Sequence, residues 1–236
     1  MRNISAIALR EIQAYFASPI AYVVTAVFLA LTGYFFASQV IYSQEATIRG
    51  FLSPSSFILL LLSPLLTMRL LAEEQKMGTL ELLLTAPVRD IEVVLGKFTA
   101  SLASLAIMLG LTWYYPLLLY WFGDPDTGPI LSGYLGILLV GASFLSIGLL
   151  ASSLSSNQIV AAVLALGISI ALWILGSAAG FFSGVGADII NYVALPQHFS
   201  DFTWGIIDTK DIIYYVSVIA VFVFLTVRSL ETRRWR

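Results

Sequence analysis

The sequence predicts an all-α membrane protein with six transmembrane helices and an N-terminal interfacial helix, and three observations predict it. The chain is 59% hydrophobic and only 11% charged, whereas soluble domains carry about a quarter charged residues. Uncharged apolar runs long enough to cross a bilayer recur along it. Its basic residues gather near the two termini and in one internal segment. A net charge of −2 offers no electrostatic footprint for nucleic acid. The absence of cysteine excludes disulfide frameworks, thiolate zinc sites and thiol nucleophiles together.

Residues 1–18 place Ile4, Ile7, Ala8, Ile12, Tyr15 and Phe16 among Arg2, Arg10, Glu11 and Gln13. Apolar positions at three- and four-residue intervals give a helix with one apolar side, suited to lie in the interface. A cleaved secretory signal is not expected, because the apolar run begins late and is too long for one. Residues 19–41 carry no charge and cover the roughly 30 Å of hydrocarbon at about 1.5 Å per residue. The second span, 51–72, follows a polar link with Glu45 and Arg49 and continues through Arg69, which can snorkel to the surface. The third, 98–122, closes on Trp113, Tyr114, Tyr115, Tyr120, Trp121 and Phe122, residues suited to an interface belt.

No charge appears from Thr127 to Ala187, which is too long for one helix; the polar run from Ser152 to Gln158 divides it into spans 134–154 and 159–182. Gly176, Gly180 and Gly184 stand four apart on one helical face, where they favour close helix packing over a dedicated dimer motif. The sixth span is 211–228, preceded by an outer segment, 183–210. There Asp188 can cap a short helix ending before Pro196, and Tyr192, Phe199, Phe202 and Trp204 suit an interface.

Orientation follows from the basic residues. With both termini in the cytoplasm, Arg2, Arg10, Arg69, Lys76, Arg89, Lys97, Arg228, Arg233, Arg234 and Arg236 lie inside and only Arg49 and Lys210 outside. The glycosylation spacing Asn3-Ile4-Ser5 then lies where no glycan is added. The terminal arginines anchor the sixth span against anionic lipid.

This orientation makes 73–97 a cytoplasmic loop, the one long charged segment between spans. Gly78 can stop the extension of span two, Thr79 can cap a new helix with Glu81 in its first turn, and Pro87 ends that helix by Ala86. Asp90 can cap the helix leading into span three. Leu80, Leu83 and Leu84 share a face with Glu81 and Thr85 beside it, a layout that suits either a groove on a partner or the bilayer surface.

The run Glu73-Glu74-x-x-x-Gly78-Thr79-Leu80-Glu81-Leu82-Leu83-Leu84-Thr85-Ala86-Pro87, with Gly96-Lys97 after it, resembles the first cytoplasmic loop of permease subunits of ABC-2 class ABC transporters, in particular the gliding-motility type. Softer matches are Ser18-Pro19-Ile20-Ala21-Tyr22, Gly33-Tyr34-Phe35-Phe36, His198-Phe199 and the run from Arg228 to Trp235. The resemblance implies the ABC-2 exporter fold: six transmembrane helices, the interfacial helix, a cytoplasmic coupling helix and short outer re-entrant helices. It implies a multi-pass protein of the cell inner membrane, with two permeases, identical or related, working with two ABC ATPase subunits, and it leaves room for an outer accessory protein. The coupling role passes to Glu73, Glu74, Gly78, Thr79, Leu80, Glu81, Leu82, Leu83 and Leu84, with Ser155, Ser156, Asn157 and Gln158 as a second ATPase contact.

The chain is expected to have no cofactor, metal or catalytic residue of its own, ATP and magnesium being bound by the partner. Gly96-Lys97 is its only Gly-Lys pair, and a phosphate-binding loop needs glycine where Ile91 stands and Ser or Thr where Phe98 stands. Two other classes compete with this reading. A secondary transporter or channel would place ionisable residues at mid-membrane depth, and the six spans have none in their central parts. A membrane-embedded enzyme would have to use His198 and Asp201, a pair without a third ligand or a nucleophile at motif spacing, for which loop and capping roles are expected instead.

Overall fold

The computed structural model describes residues 2–79, 88–178, 180 and 184–234. Among these residues there are helices and no strands, and six helices are long and apolar enough to cross a membrane. Helix α1 (Arg2–Ala17) turns its partly buried positions Ile4, Ile7, Ala8, Glu11, Ile12 and Tyr15 to one side, while Leu9 and Phe16 stay exposed. Extended Ser18 makes the corner into α2 (Pro19–Ser43), whose first residue is a proline that needs no amide partner there. The buried stripe of α2, Val24, Phe28, Thr32 and Phe36, repeats every four residues against α3 (Arg49–Thr67).

Span two does not continue smoothly past Met68. The chain turns and restarts as α4 (Ala72–Met77) because Ser152, from another helix, captures the backbone there. Its hydroxyl oxygen accepts from the amides of Leu71 and Ala72, each at 3.0 Å, and donates to the Met68 carbonyl at 3.1 Å. Gly78 ends α4 in the left-handed region, φ +70°, where a side chain is disfavoured.

Span three begins in α5 (Asp90–Leu111), and it is Arg89, not Asp90, that occupies the N-cap position. The Arg89 amide is satisfied by the Glu92 carboxylate at 3.1 Å. The expected single helix 98–122 is broken at Thr112 and Trp113 and resumes as α6 (Tyr114–Phe122). Pro116 has no amide to offer the Thr112 carbonyl. That carbonyl instead accepts from the Tyr134 hydroxyl at 2.9 Å and the Tyr115 amide at 3.0 Å.

Helix α7 (Thr127–Leu154) occupies the centre and touches α3, α5 and four further helices: α4, α8 (Gln158–Ala178), α10 (Leu195–Thr203) and α11 (Thr209–Arg234). Most of α7 and α3 is buried, whereas most of α2, α8 and α11 is not. Small residues allow this. A Cβ on Gly148 would stand 2.0 Å from Thr67 Oγ1 and 2.8 Å from its Cβ, so the backbones of α7 and α3 meet where no larger residue fits.

Two expectations about the region beyond span five are corrected. Helix α8 ends at Ala178, so Gly180 and Gly184 do not share its face with Gly176. Gly184, at φ +69°, lies outside it as the N-cap of α9 (Val185–Val193). Gly176 alone makes a close approach, a Cβ there coming within 3.2 Å of Ala194 and Gln197. Asp188 sits in the first turn of α9, where it complements the helix dipole, and does not cap it.

Replacing Gly148 with valine should lower stability by about 1–3 kcal/mol through overpacking against Thr67. The check is thermal unfolding in mild detergent, where an unchanged transition would mean that α3 and α7 do not meet there.

Candidate coupling site

The end of the molecule that carries the 73–97 loop is organised by one buried cation. Lys97 lies on α5 with only 1% of its side chain exposed, and its ammonium donates to Glu11 Oε1 of α1 at 2.7 Å. It also pairs with Glu74 Oε1 of α4 at 2.9 Å. Three helices that are separate in sequence are thereby tied at one nitrogen. The residue before the lysine makes the approach possible: a Cβ on Gly96 would lie 2.7 Å from Ile7 Cγ2, so α1 rests directly on the α5 backbone.

A second set of contacts fixes the corner between α1 and α2 to the end of span two. Arg69 Nε donates to Glu73 Oε2 at 2.8 Å and its Nη1 to Ser18 Oγ at 2.7 Å. The Tyr15 hydroxyl donates to the Leu66 carbonyl. Burial first, then the neighbouring Glu11 carboxylate, hold the Tyr15 hydroxyl well above its ordinary pKa against the opposing pull of Arg69, so it remains a donor. Asn3 Nδ2 donates to Glu92 Oε2 at 3.2 Å, joining the start of α1 to the start of α5. Gln75 Nε2 donates to the Ser153 carbonyl at 2.9 Å and ties α4 to the end of α7.

The loop residues named from sequence fall into three groups. Glu74 is buried against Lys97 and Glu73 is held by Arg69, so neither is a free surface carboxylate. Gly78 stops α4, and Thr79 lies just beyond it, its hydroxyl donating to the Glu74 carbonyl at 3.4 Å. Leu80, Glu81, Leu82, Leu83 and Leu84 lie outside the described residues. The turn after α7 leaves Ser156 and Asn157 exposed and Ser155 and Gln158 half-buried, next to the Ser153 carbonyl that Gln75 holds. Sequence reasoning gave no role to Glu11 and placed Lys97 only within a motif. Their signal was a charged residue on the apolar side of each helix.

At the opposite end, His198 does not pair with Asp201. It is buried with Nδ1 at 2.6 Å from Asp211 Oδ1 and Nε2 at 2.9 Å from the Tyr192 carbonyl, and its ring stacks on Tyr214 at 3.8 Å. Asp201 faces outward toward Lys210, 3.6 Å away. Lys210 also meets Asp208 at 3.1 Å, and its backbone amide, then its ammonium, hold the Asp208 carboxyl below its ordinary range. The carboxylates of Asp201, Asp208 and Asp211 approach within 4.8 Å of one another, with Lys210 neutralising the outer two. Together these contacts dock α10 on the start of α11.

Replacing Lys97 with methionine should destabilise the protein by about 3–5 kcal/mol by leaving buried carboxylates without their cation. Adding Glu11→Gln and Glu74→Gln should restore most of it. Thermal unfolding of the three-residue variant against Lys97→Met tests this; equal losses in both would mean that the lysine acts through packing alone.

No curated protein matches the sequence. The family model described as ABC-2 family transporter protein matches residues 3–234. That match runs from the first turns of α1 to the end of α11 and coincides with six helices able to cross a membrane. The chain therefore belongs to the ABC-2 family of transporter proteins, as a multi-pass membrane component of transport.

Proposed function

We propose that the chain is the permease subunit of an ATP-driven ABC exporter of the cell inner membrane, with both termini cytoplasmic, moved by a separate ATPase subunit. The observation that carries this is the Glu11–Lys97–Glu74 cluster, which joins α1 to both flanks of the loop. A push on the loop or on α1 is then shared by spans two and three as one rigid body and not absorbed by local bending. ATP and magnesium belong to the partner, and closure of its two copies supplies the force. The side of the membrane follows from ten basic residues at this end against two at the other.

In this reading Leu80, Leu83 and Leu84 enter a groove on the ATPase, with Glu81 beside them, and the turn carrying Ser156 and Asn157 makes the second contact. The working unit contains a second permease, a copy or a relative, packed against the mostly exposed faces that α2 or α8 presents. The softer sequence matches favour the gliding-motility type of permease, and the exposed outer helix α9 is available to an accessory protein.

Purification of the wild type from its native membrane in mild detergent should recover an ATP-binding subunit with ATPase activity. The Leu83→Asp and Glu81→Lys forms should insert normally and recover at least about tenfold less of it. Absence of any ATPase from all preparations, under conditions that keep other complexes intact, would overturn the proposal.

A further inference from the structure

Between α5 and α11, at the same end as the loop, runs an open groove of about 770 Å³. Its walls are apolar, formed by Leu95 and Phe98 on α5 and by Ile219, Val223 and Val227 on α11. Both helices are membrane-crossing candidates, so these walls face hydrocarbon. The groove ends in a charged rim made of Arg89 and Asp90 from α5 and Arg228 and Glu231 from α11.

The rim has two cations and two anions, and its hydrogen bonding is incomplete. Arg228 Nη1 donates to Glu231 Oε2 at 2.6 Å, which leaves most of the five guanidinium donors for another acceptor. Arg89 is exposed, and its guanidinium has no hydrogen bond or ion pair among the described residues. Asp90 Oδ1 is buried and has no donor among the described residues, a state that a carboxylate occupies only at a cost unless a donor arrives. A ligand that matched all three features would combine an alkyl chain for the walls, an anionic oxygen for two guanidinium groups and a cationic donor for Asp90.

We propose that the groove binds one phospholipid with a primary-ammonium head, phosphatidylethanolamine. Its acyl chain lies between α5 and α11, its phosphate between Arg89 and Arg228, and its ammonium on Asp90. Phosphatidylcholine fits the walls and the arginines, but a quaternary ammonium has no N–H to donate. Phosphatidylglycerol offers Asp90 only neutral hydroxyl donors, which are weaker than charged ones. The site needs only the two helices and the bilayer, so it stands apart from the coupling proposal. A lipid seated there joins Arg89, within the 73–97 loop, to span six.

The test is native mass spectrometry of the delipidated full chain titrated with phosphatidylethanolamine, phosphatidylcholine or phosphatidylglycerol of identical acyl chains. The wild type should bind one phosphatidylethanolamine about tenfold more tightly than phosphatidylcholine. Asp90→Asn should erase that preference, the double replacement Arg89→Ala with Arg228→Ala should weaken phosphatidylethanolamine and phosphatidylcholine alike, and Ala220→Trp, which fills the groove, should weaken all three. Equal affinity of the wild type for the ethanolamine and choline lipids overturns the proposal, as does tighter binding of phosphatidylglycerol or a preference that survives Asp90→Asn. Loss of a dimer in Ala220→Trp with lipid binding unchanged would assign the groove to a second copy of the chain instead. Where Asp90→Asn does not fold, the wild-type comparison and Ala220→Trp decide the matter.

Discussion

An ammonium buried to 1% exposure must find its counter-charges inside the protein, and that constraint fixes the loop end of this molecule. Lys97 meets it with carboxylates from two other helices, so neither α1 nor α4 can shift without leaving a charge uncompensated. Such an arrangement adds little to net stability, because desolvation offsets most of the attraction. What it imposes is geometry: the interfacial helix, the end of span two and the start of span three keep one mutual position. The absence of a side chain at Gly96 lets α1 come close enough for Glu11 to reach.

Around that block the fold separates a stiff centre from exposed flanks. Helix α7 packs on its neighbours through glycine and serine, and where it meets α3 at Gly148 no methyl group fits. Helices α2, α8 and α11 leave broad apolar faces uncovered. In a bilayer these faces meet lipid or another subunit, with no water to exclude, so shape and hydrogen bonding decide what binds there.

The architecture was legible because hydrocarbon thickness and backbone hydrogen bonding leave a membrane chain few alternatives. Composition, uncharged runs and basic-residue placement led to six helices and an interfacial one, and the loop motif led to the family. Interruptions set by long-range contacts were not legible. Span three was read as one helix, because the break before Pro116 depends on the Tyr134 hydroxyl taking the Thr112 carbonyl. The restart at Ala72 depends on Ser152, eighty residues away. At the site, the internal ion pairs of Glu73 and Glu74 were not legible, because sequence cannot show that Arg69 and Lys97 turn toward them. His198 was paired with Asp201 by proximity, whereas its partner Asp211 belongs to the next helix.

The Ser152 hydroxyl sits where the backbone of span two has let go of its own ladder, and it serves two amides and one carbonyl at once. A hinge held by a side chain of a different helix behaves as a latch and not as a spring. Small displacements of α4 strain all three bonds together, and a large one releases them together and hands those backbone groups to water. Short of that release the loop moves with span two as one piece, and α7 is the element that holds the two together.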